Sequence, residues 1–225
     1  MHVVSVAGRK GGIGKSTIAG NLAGEFVAAG YQVLVLDADP QHSLAAWAKQ
    51  GEGLLFQCVR KVDEGEALEL VSQVSKARGG ARGDVDVLII DTPPGMTDTA
   101  YSAAKAADLV LLPCGPSPLD RFPLKEAISL ALKARASRGG KKPRIRLVPS
   151  RVTMNTTIGR NLTSQLEATG NKILPAICQR VALAEAAEHG LTIGEFAPSS
   201  AAHREFADLA KAVEQILQKG HPQRP

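Results

Sequence analysis

The sequence predicts an α/β fold, doubly wound around a mainly parallel sheet with helices on both faces. Two observations carry this. Five short apolar runs recur along the chain: His2–Ala7, Gln32–Leu36, Val87–Ile90, Leu109–Leu112 and Ile145–Val148. They are nearly continuous in Val, Ile and Leu rather than alternating, as strands covered on both faces are. Each is followed by a segment of helical spacing, and strand–helix alternation of this kind builds parallel sheets. The length of 225 residues suits one sizeable domain. We expect residues 1–219 to form it and 220–225 to be a flexible tail.

The elements follow in order. After the first strand, Ile18, Leu22 and Phe26 share one face of a helix that stops near Gly30. A weaker strand is expected at Leu54–Val59, and a helix at Glu64–Arg78 carrying Leu68, Val71 and Val74. Two more helices are expected at Leu119–Arg138 and Thr156–Thr169, with a further sheet edge at Leu174–Ile177. Near the end, Phe206, Leu209, Val213, Ile216 and Leu217 make an apolar stripe at helical spacing. Gly79-Gly80 and Gly139-Gly140 read as loop punctuation, and there is no internal repeat.

Composition excludes several classes. Hydrophobic residues are 44% and charged residues 22%, an ordinary globular balance. No apolar run approaches the ~18 residues of a membrane-spanning helix. The start, Met1-His2-Val3-Val4-Ser5-Val6, has no basic segment before its apolar stretch and does not read as a signal peptide. Cys58, Cys114 and Cys178 are far apart and odd in number, so they form neither a disulfide framework nor a CxxC site; a cytoplasmic location is expected. The net charge of +5 is uneven. Residues 133–146 hold seven Lys/Arg and no acid, while the rest of the chain holds 20 basic and 22 acidic residues.

The first strand runs into Gly8-Arg9-Lys10-Gly11-Gly12-Ile13-Gly14-Lys15-Ser16-Thr17, and a helix follows at once. Strand, glycine-rich loop and helix are the context of a phosphate-binding P-loop. Glycines let backbone N–H groups turn around phosphate oxygens, and the helix N-terminus adds its positive dipole end. Lys15 supplies a charge to the β/γ-phosphates, the Ser16 hydroxyl is placed for Mg²⁺, and Thr17 for the α-phosphate. The residues expected to hold ATP are thus Gly11, Gly12, Ile13, Gly14, Lys15, Ser16 and Thr17. The usual G-x-x-x-x-G-K-[ST] pattern has glycine where Arg9 stands, and Lys10 adds a second lysine.

Two carboxylate-ended strands accompany the loop. Val33–Leu36 leads to Asp37-Ala38-Asp39-Pro40-Gln41, and Val87–Ile90 leads to Asp91-Thr92-Pro93-Pro94-Gly95. A carboxylate at the carboxyl end of a parallel strand beside the P-loop strand faces the phosphate site. Asp91, about 75 residues past the loop, is placed as a Walker B residue, whose carboxylate holds Mg²⁺ through water.

The loop K-G-G-x-G-K-S resembles the deviant Walker A motif of the ParA/MinD family of ATPases, and D-x-D-P-Q resembles the second signature of ParA proteins. Pro113-Cys114-Gly115-Pro116-Ser117-Pro118-Leu119-Asp120 is similar to the P-x-x-P-S-P-L-D loop of small, ParF-like plasmid-partition members. The likeness covers nearly the whole chain. It implies a weak, partner-stimulated ATPase that dimerises around ATP and Mg²⁺, binds DNA nonspecifically and drives plasmid or chromosome partition or cargo positioning, associated with the nucleoid. It implies that Lys10 reaches the partner subunit's phosphates, that Asp39 positions or activates water, and that Asp37 belongs to the outer shell of the metal beside Ser16 and Asp91. Where relatives place Asn-Arg at the adenine, this chain has Ser150-Arg151, leaving Arg151 to stack on the base. A ParB-like centromere-binding or adaptor protein is the implied activator. No helix-turn-helix precedes the P-loop, so no site-specific DNA reading is expected.

Other readings remain open at this level. A MinD-like membrane-cycling spatial regulator would need a basic amphipathic helix, whereas the polar face of the last helix mixes Arg204, Lys211 and Lys219 with Glu205, Asp208 and Glu214. No membrane contact is therefore expected. A metabolic ligase or iron–sulfur reductase on the same fold, and a non-hydrolysing scaffold, are further alternatives. Trp47 and Phe56 suit core packing better than base stacking, and His42 and His203 lack ligand-spaced partners. Lys141, Lys142 and Arg144, within the basic stretch, are the candidate contacts to DNA phosphates.

Overall fold

The structure, a computed structural model, describes residues 1–55, 59–62, 74 and 85–218. The helix expected over Glu64–Arg78 (Val74 apart), Phe56, Cys58 and the tail at 220–225 lie outside the described residues.

Six strands form one parallel sheet: β1 (His2–Val6), β2 (Val33–Asp37), β3 (Val59–Lys61), β4 (Val87–Asp91), β5 (Leu109–Cys114) and β6 (Arg144–Pro149). Their order is β3-β2-β4-β1-β5-β6. Because successive side chains point to opposite faces, each continuous apolar run feeds two cores. Val4, Val6, Val35 and Ile89 face one layer, and Val3, Leu36, Leu88 and Ile90 face the other. The first layer holds α1 (Lys15–Ala28), α2 (Ser43–Ala48) and the C-terminal helix. The second holds α3 (Asp98–Ala106), α5 (Leu124–Ala136) and α6 (Thr157–Glu167), while the short α4 (Pro118–Arg121) buries no residue and leads into α5. Short helices α7 (Val181–Glu188) and α8 (Ile193–Phe196) precede α9 (Ala201–Gln218).

Local chemistry explains the boundaries. Proline at 123 has no N–H to return to the carbonyl of Leu119, so the helix expected over Leu119–Arg138 divides into α4 and α5. The expected edge at Leu174–Ile177 reduces to two isolated bridges, Leu147 to Ile173 and Val152 to Cys178. Pro175 lies between them and cannot donate to a ladder. On α9 the stripe Phe206, Leu209, Val213 and Leu217 is buried against the α1 layer. Gly20 is where α1 meets Trp47: a Cβ there would lie 2.4 Å from the indole.

Parallel strands put all carboxyl ends on one side. Asp37 and Asp91 are register partners in β2 and β4, and Asp91 is also level with Val6 of β1. Both carboxylates therefore stand in the row where the P-loop begins. The basic stretch leads into the amino end of β6, on the opposite side of the sheet.

Candidate nucleotide site

The loop after β1 closes into α1 at Gly14, whose φ of 89° is a left-handed value that side-chain-bearing residues avoid. Gly12 is also left-handed, at 71°. A cleft of about 570 Å³ opens here. Gly11, Gly12, Gly14, Lys15, Ser16 and Thr17 form one wall of it. Ile13 contributes backbone, while its side chain turns into the core at 4% exposure. Asp39 and Arg151 line the same cleft, as do Gln179, Arg180 and Leu183 at the far end.

The floor is charged and dry. Lys15 is 5% exposed, and its Nζ reaches only the Lys10 carbonyl, at 3.5 Å. Burial pushes its pKa below the usual lysine value, against the opposing pull of Asp91 and Asp39. Asp91 is fully buried, and neither carboxylate oxygen has a hydrogen-bond partner of ordinary geometry. Burial drives its pKa up to about 7, Asp37 adds to the rise, and the nearby Ser16 hydroxyl and Lys15 offset part of it. A buried, unpaired carboxylate beside a hydroxyl is a donor set that suits a hard divalent cation, so these residues fit Mg²⁺.

Asp37 is occupied differently. Its Oδ1 accepts the Asp39 N–H at 3.2 Å and its Oδ2 accepts the Ala45 N–H at 2.8 Å. It thus ties the strand end to α2, and burial raises its pKa. Asp39 accepts the Gln41 N–H through Oδ1 at 3.0 Å, an Asx-type turn that sets its carboxylate at the cleft. The Thr-Pro-Pro-Gly turn is joined to the loop, since the Gly95 N–H donates to the Arg9 carbonyl at 2.8 Å. Lys10 Nζ lies 2.5 Å from Asp120 Oδ1 within the same subunit, and Arg9 pairs with Glu126 at 2.6 Å.

At the other wall, Arg151 donates from Nη1 to the Gly12 carbonyl at 2.6 Å and from Nε to Gln179 Oε1 at 3.0 Å. Ser150 donates to the Ile13 carbonyl at 2.9 Å. No motif marked Gln179, and Ser150 stood out only as replacing the asparagine of relatives. The one available signal was that serine precedes Arg151, with a hydroxyl short enough to meet backbone.

The basic stretch is only partly open. Lys142 pairs with Asp108 at 2.7 Å, and Asp108 also accepts the Val3 N–H. Arg144 donates to the Ile216 carbonyl near the end of α9, Arg138 to the Ala107 carbonyl and Arg135 to the Pro143 carbonyl. Lys133 and Lys141 are exposed. This stretch and the phosphate cleft stand at opposite ends of the strands.

A parallel sheet with a glycine loop at its first strand end, a buried lysine and two strand-end carboxylates defines a P-loop nucleotide-binding protein. Residues 4–193 match the CobQ/CobB/MinD/ParA nucleotide binding domain, and the chain belongs to that family. It is 30% identical over 237 residues to the chromosome-partitioning ATPase Soj of Thermus thermophilus, covering 93% of this chain and 94% of Soj. The apo structure of Cyanothece McdA shares the fold with a TM-score of 0.77 at 19% identity, covering 95% of this chain and 99% of that one. The septum site-determining protein MinD of Pyrococcus horikoshii, complexed with Mg-ADP, gives 0.71 at 17% identity over 99% of each chain. Among the described residues no helix is long and apolar enough to cross a membrane.

Proposed function

We propose that this chain is a ParA-type ATPase: it dimerises around ATP and Mg²⁺, binds DNA without sequence preference, and hydrolyses ATP to drive partition or positioning of a cargo. The observation that carries the reading is the ionisable cluster at the cleft, where Lys15 and Ser16 line the wall, buried Asp91 lies close behind them and Asp39 stands at the rim. Homology to Soj supports the partition role.

Ser16 and Asp91 would hold Mg²⁺, with Asp37 behind them, and the ion would neutralise charge on the β- and γ-phosphates. Lys15 binds the same phosphates. Asp39, free on one oxygen of its turn, orients the water that attacks the γ-phosphorus as the bond to the ADP oxygen breaks. Lys10 leaves Asp120 to meet the partner subunit's phosphates, offsetting charge at the dimer seam. A ParB-like or adaptor protein accelerates the step. DNA phosphates meet the basic stretch at Lys141 and neighbouring Lys133, with Lys142 and Arg144 beneath.

The test is Asp39→Ala. It should bind ATP, accumulate as a dimer by light scattering, and release phosphate at least tenfold more slowly. Normal hydrolysis by this variant would reduce Asp39 to a turn residue and remove the mechanism.

A further inference from the structure

We propose that Ser150 and Arg151 are positioning residues of the phosphate loop, pinning two of its carbonyls so that the cradle is preformed before nucleotide arrives. The inference rests on the nucleotide-binding reading and assigns Arg151 to the loop rather than to the base.

The two residues follow β6 directly, and each ties to a successive loop carbonyl. Arg151 takes that of Gly12 and Ser150 that of Ile13. In a trans peptide unit the C=O and the next N–H point in opposite directions. Pinning the Gly12 carbonyl therefore sets the Ile13 N–H, and pinning the Ile13 carbonyl sets the Gly14 N–H. Those amides belong to the run that leads into α1, where phosphate would be met. The loop thus spends less conformational freedom on binding than a free glycine-rich turn would.

The anchors are themselves held. Ser150 is 2% exposed, and its hydroxyl sits so close to Gly14 that a Cβ on that glycine would lie 2.8 Å from Oγ. The Ser150 N–H donates to the Cys114 carbonyl and the Val152 N–H to the Ile177 carbonyl. Between these fixed neighbours Arg151 has a φ of 54°, a left-handed conformation that a non-glycine residue keeps only where its surroundings impose it. That turn aims the guanidinium back at the loop. Gln179 completes the clamp by taking Nε, so one planar cation bridges the P-loop and the segment after Ile177.

The experiment compares affinities for ATP and for inorganic tripolyphosphate, by competition against a fluorescent ATP analogue. Wild-type binding tests the nucleotide reading by itself, and a chain that binds neither ligand ends both proposals. If wild type binds, Ser150→Ala should weaken both ligands about fivefold. Arg151→Ala should weaken both tenfold or more, as fits a charge-assisted bond. Gln179→Ala, at an exposed residue, should cost both about threefold, and this arm stands if Ser150→Ala fails to fold. Arg151→Lys keeps the charge but cannot span both acceptors, and should behave like Arg151→Ala. In the free protein, the Ile13 amide resonance should move in Arg151→Ala and that of Gly14 in Ser150→Ala. Loss of ATP affinity with tripolyphosphate affinity intact would return Arg151 to the base. Full affinity in Arg151→Lys, or unmoved amides, would also overturn the clamp.

Discussion

Replacing Asp91 by asparagine should stabilise the ligand-free protein, and more at pH 8 than at pH 5. Asp91 is buried without a partner, and its pKa rises from 3.8 to about 7 on folding. Between those values the folded chain holds a proton that the unfolded chain has released. Stability therefore falls as pH climbs through this window and levels off above the folded pKa. At pH 8 the raised pKa costs ~4 kcal/mol, and at pH 5 only ~1–2 kcal/mol of that is felt. Asparagine has nothing to ionise, so its advantage over aspartate should grow by about 2–3 kcal/mol between the two pH values, or roughly 5–10 °C in Tm for a domain of this size. Thermal unfolding of wild type and Asp91→Asn across pH 5–8, without nucleotide or divalent cation, reads it directly. With ATP and Mg²⁺ the order should reverse, since asparagine supplies no charge for the ion. A Tm difference that does not change with pH would show that Asp91 is solvated or paired in the folded protein, and the argument that Asp91 suits a cation would fall with it.

Lys15→Ala should lose tight ATP binding in equilibrium titration, because the intrasubunit charge on the β/γ-phosphates is gone; wild-type affinity would remove the P-loop assignment. Lys10→Ala should bind ATP yet stay monomeric in size-exclusion with light scattering, and an ATP-dependent dimer would rule out the cross-subunit role. Lys133→Ala and Lys141→Ala together should flatten the log K against log salt slope for DNA by about 1.8, at ~0.9 per phosphate contact, with an unchanged Tm. Lys142→Ala should lower the Tm by about 1–3 °C, because it removes one ion pair at the amino end of β5 while Asp108 keeps the Val3 N–H; an unmoved Tm would mean the pair is only decorative.

What could be read from the sequence follows from which constraints are local. The loop from Gly8 to Thr17 and the strand-end Asp37 and Asp91 were legible because phosphate chemistry demands particular residues at particular spacing, directly after strands whose apolar runs are plain. Register then set Asp37 beside Asp91, which a parallel pair of equal length requires. The break at Pro123 was missed: the absent N–H is a sequence fact, but the apolar spacing on either side read as one helix. By contrast, Ser150 on Ile13 and Arg151 on Gly12 span 137 and 139 residues. They exist because β6 lies on the far side of β5 from β1, with all carboxyl ends together, and nothing in the residues alone says so. The basic stretch shows the same limit. Counting seven cations reveals a charge excess, but only the fold shows Lys142 spent on Asp108 and Arg144 on the end of α9.

The two walls of the cleft solve opposite problems. The β6 side is tied down: the Ser150 hydroxyl and the Arg151 guanidinium each meet a loop carbonyl, and Gln179 accepts from Arg151 Nε. The floor is the reverse, with Lys15 and Asp91 both buried and both pushed toward their neutral forms. A rigid wall with an unsatisfied floor selects its ligand by charge. A polyphosphate alone favours the cationic form of Lys15 but sets more negative charge near Asp91. A divalent cation alone suits Asp91 but repels Lys15. Only the two together neutralise both groups without moving the loop, because the geometry is already held from the β6 side. On the proposed function, the stability that the free chain gives up at Asp91 would be recovered when ligand and ion arrive together, and folding free energy would be linked to the nucleotide state through one buried carboxylate.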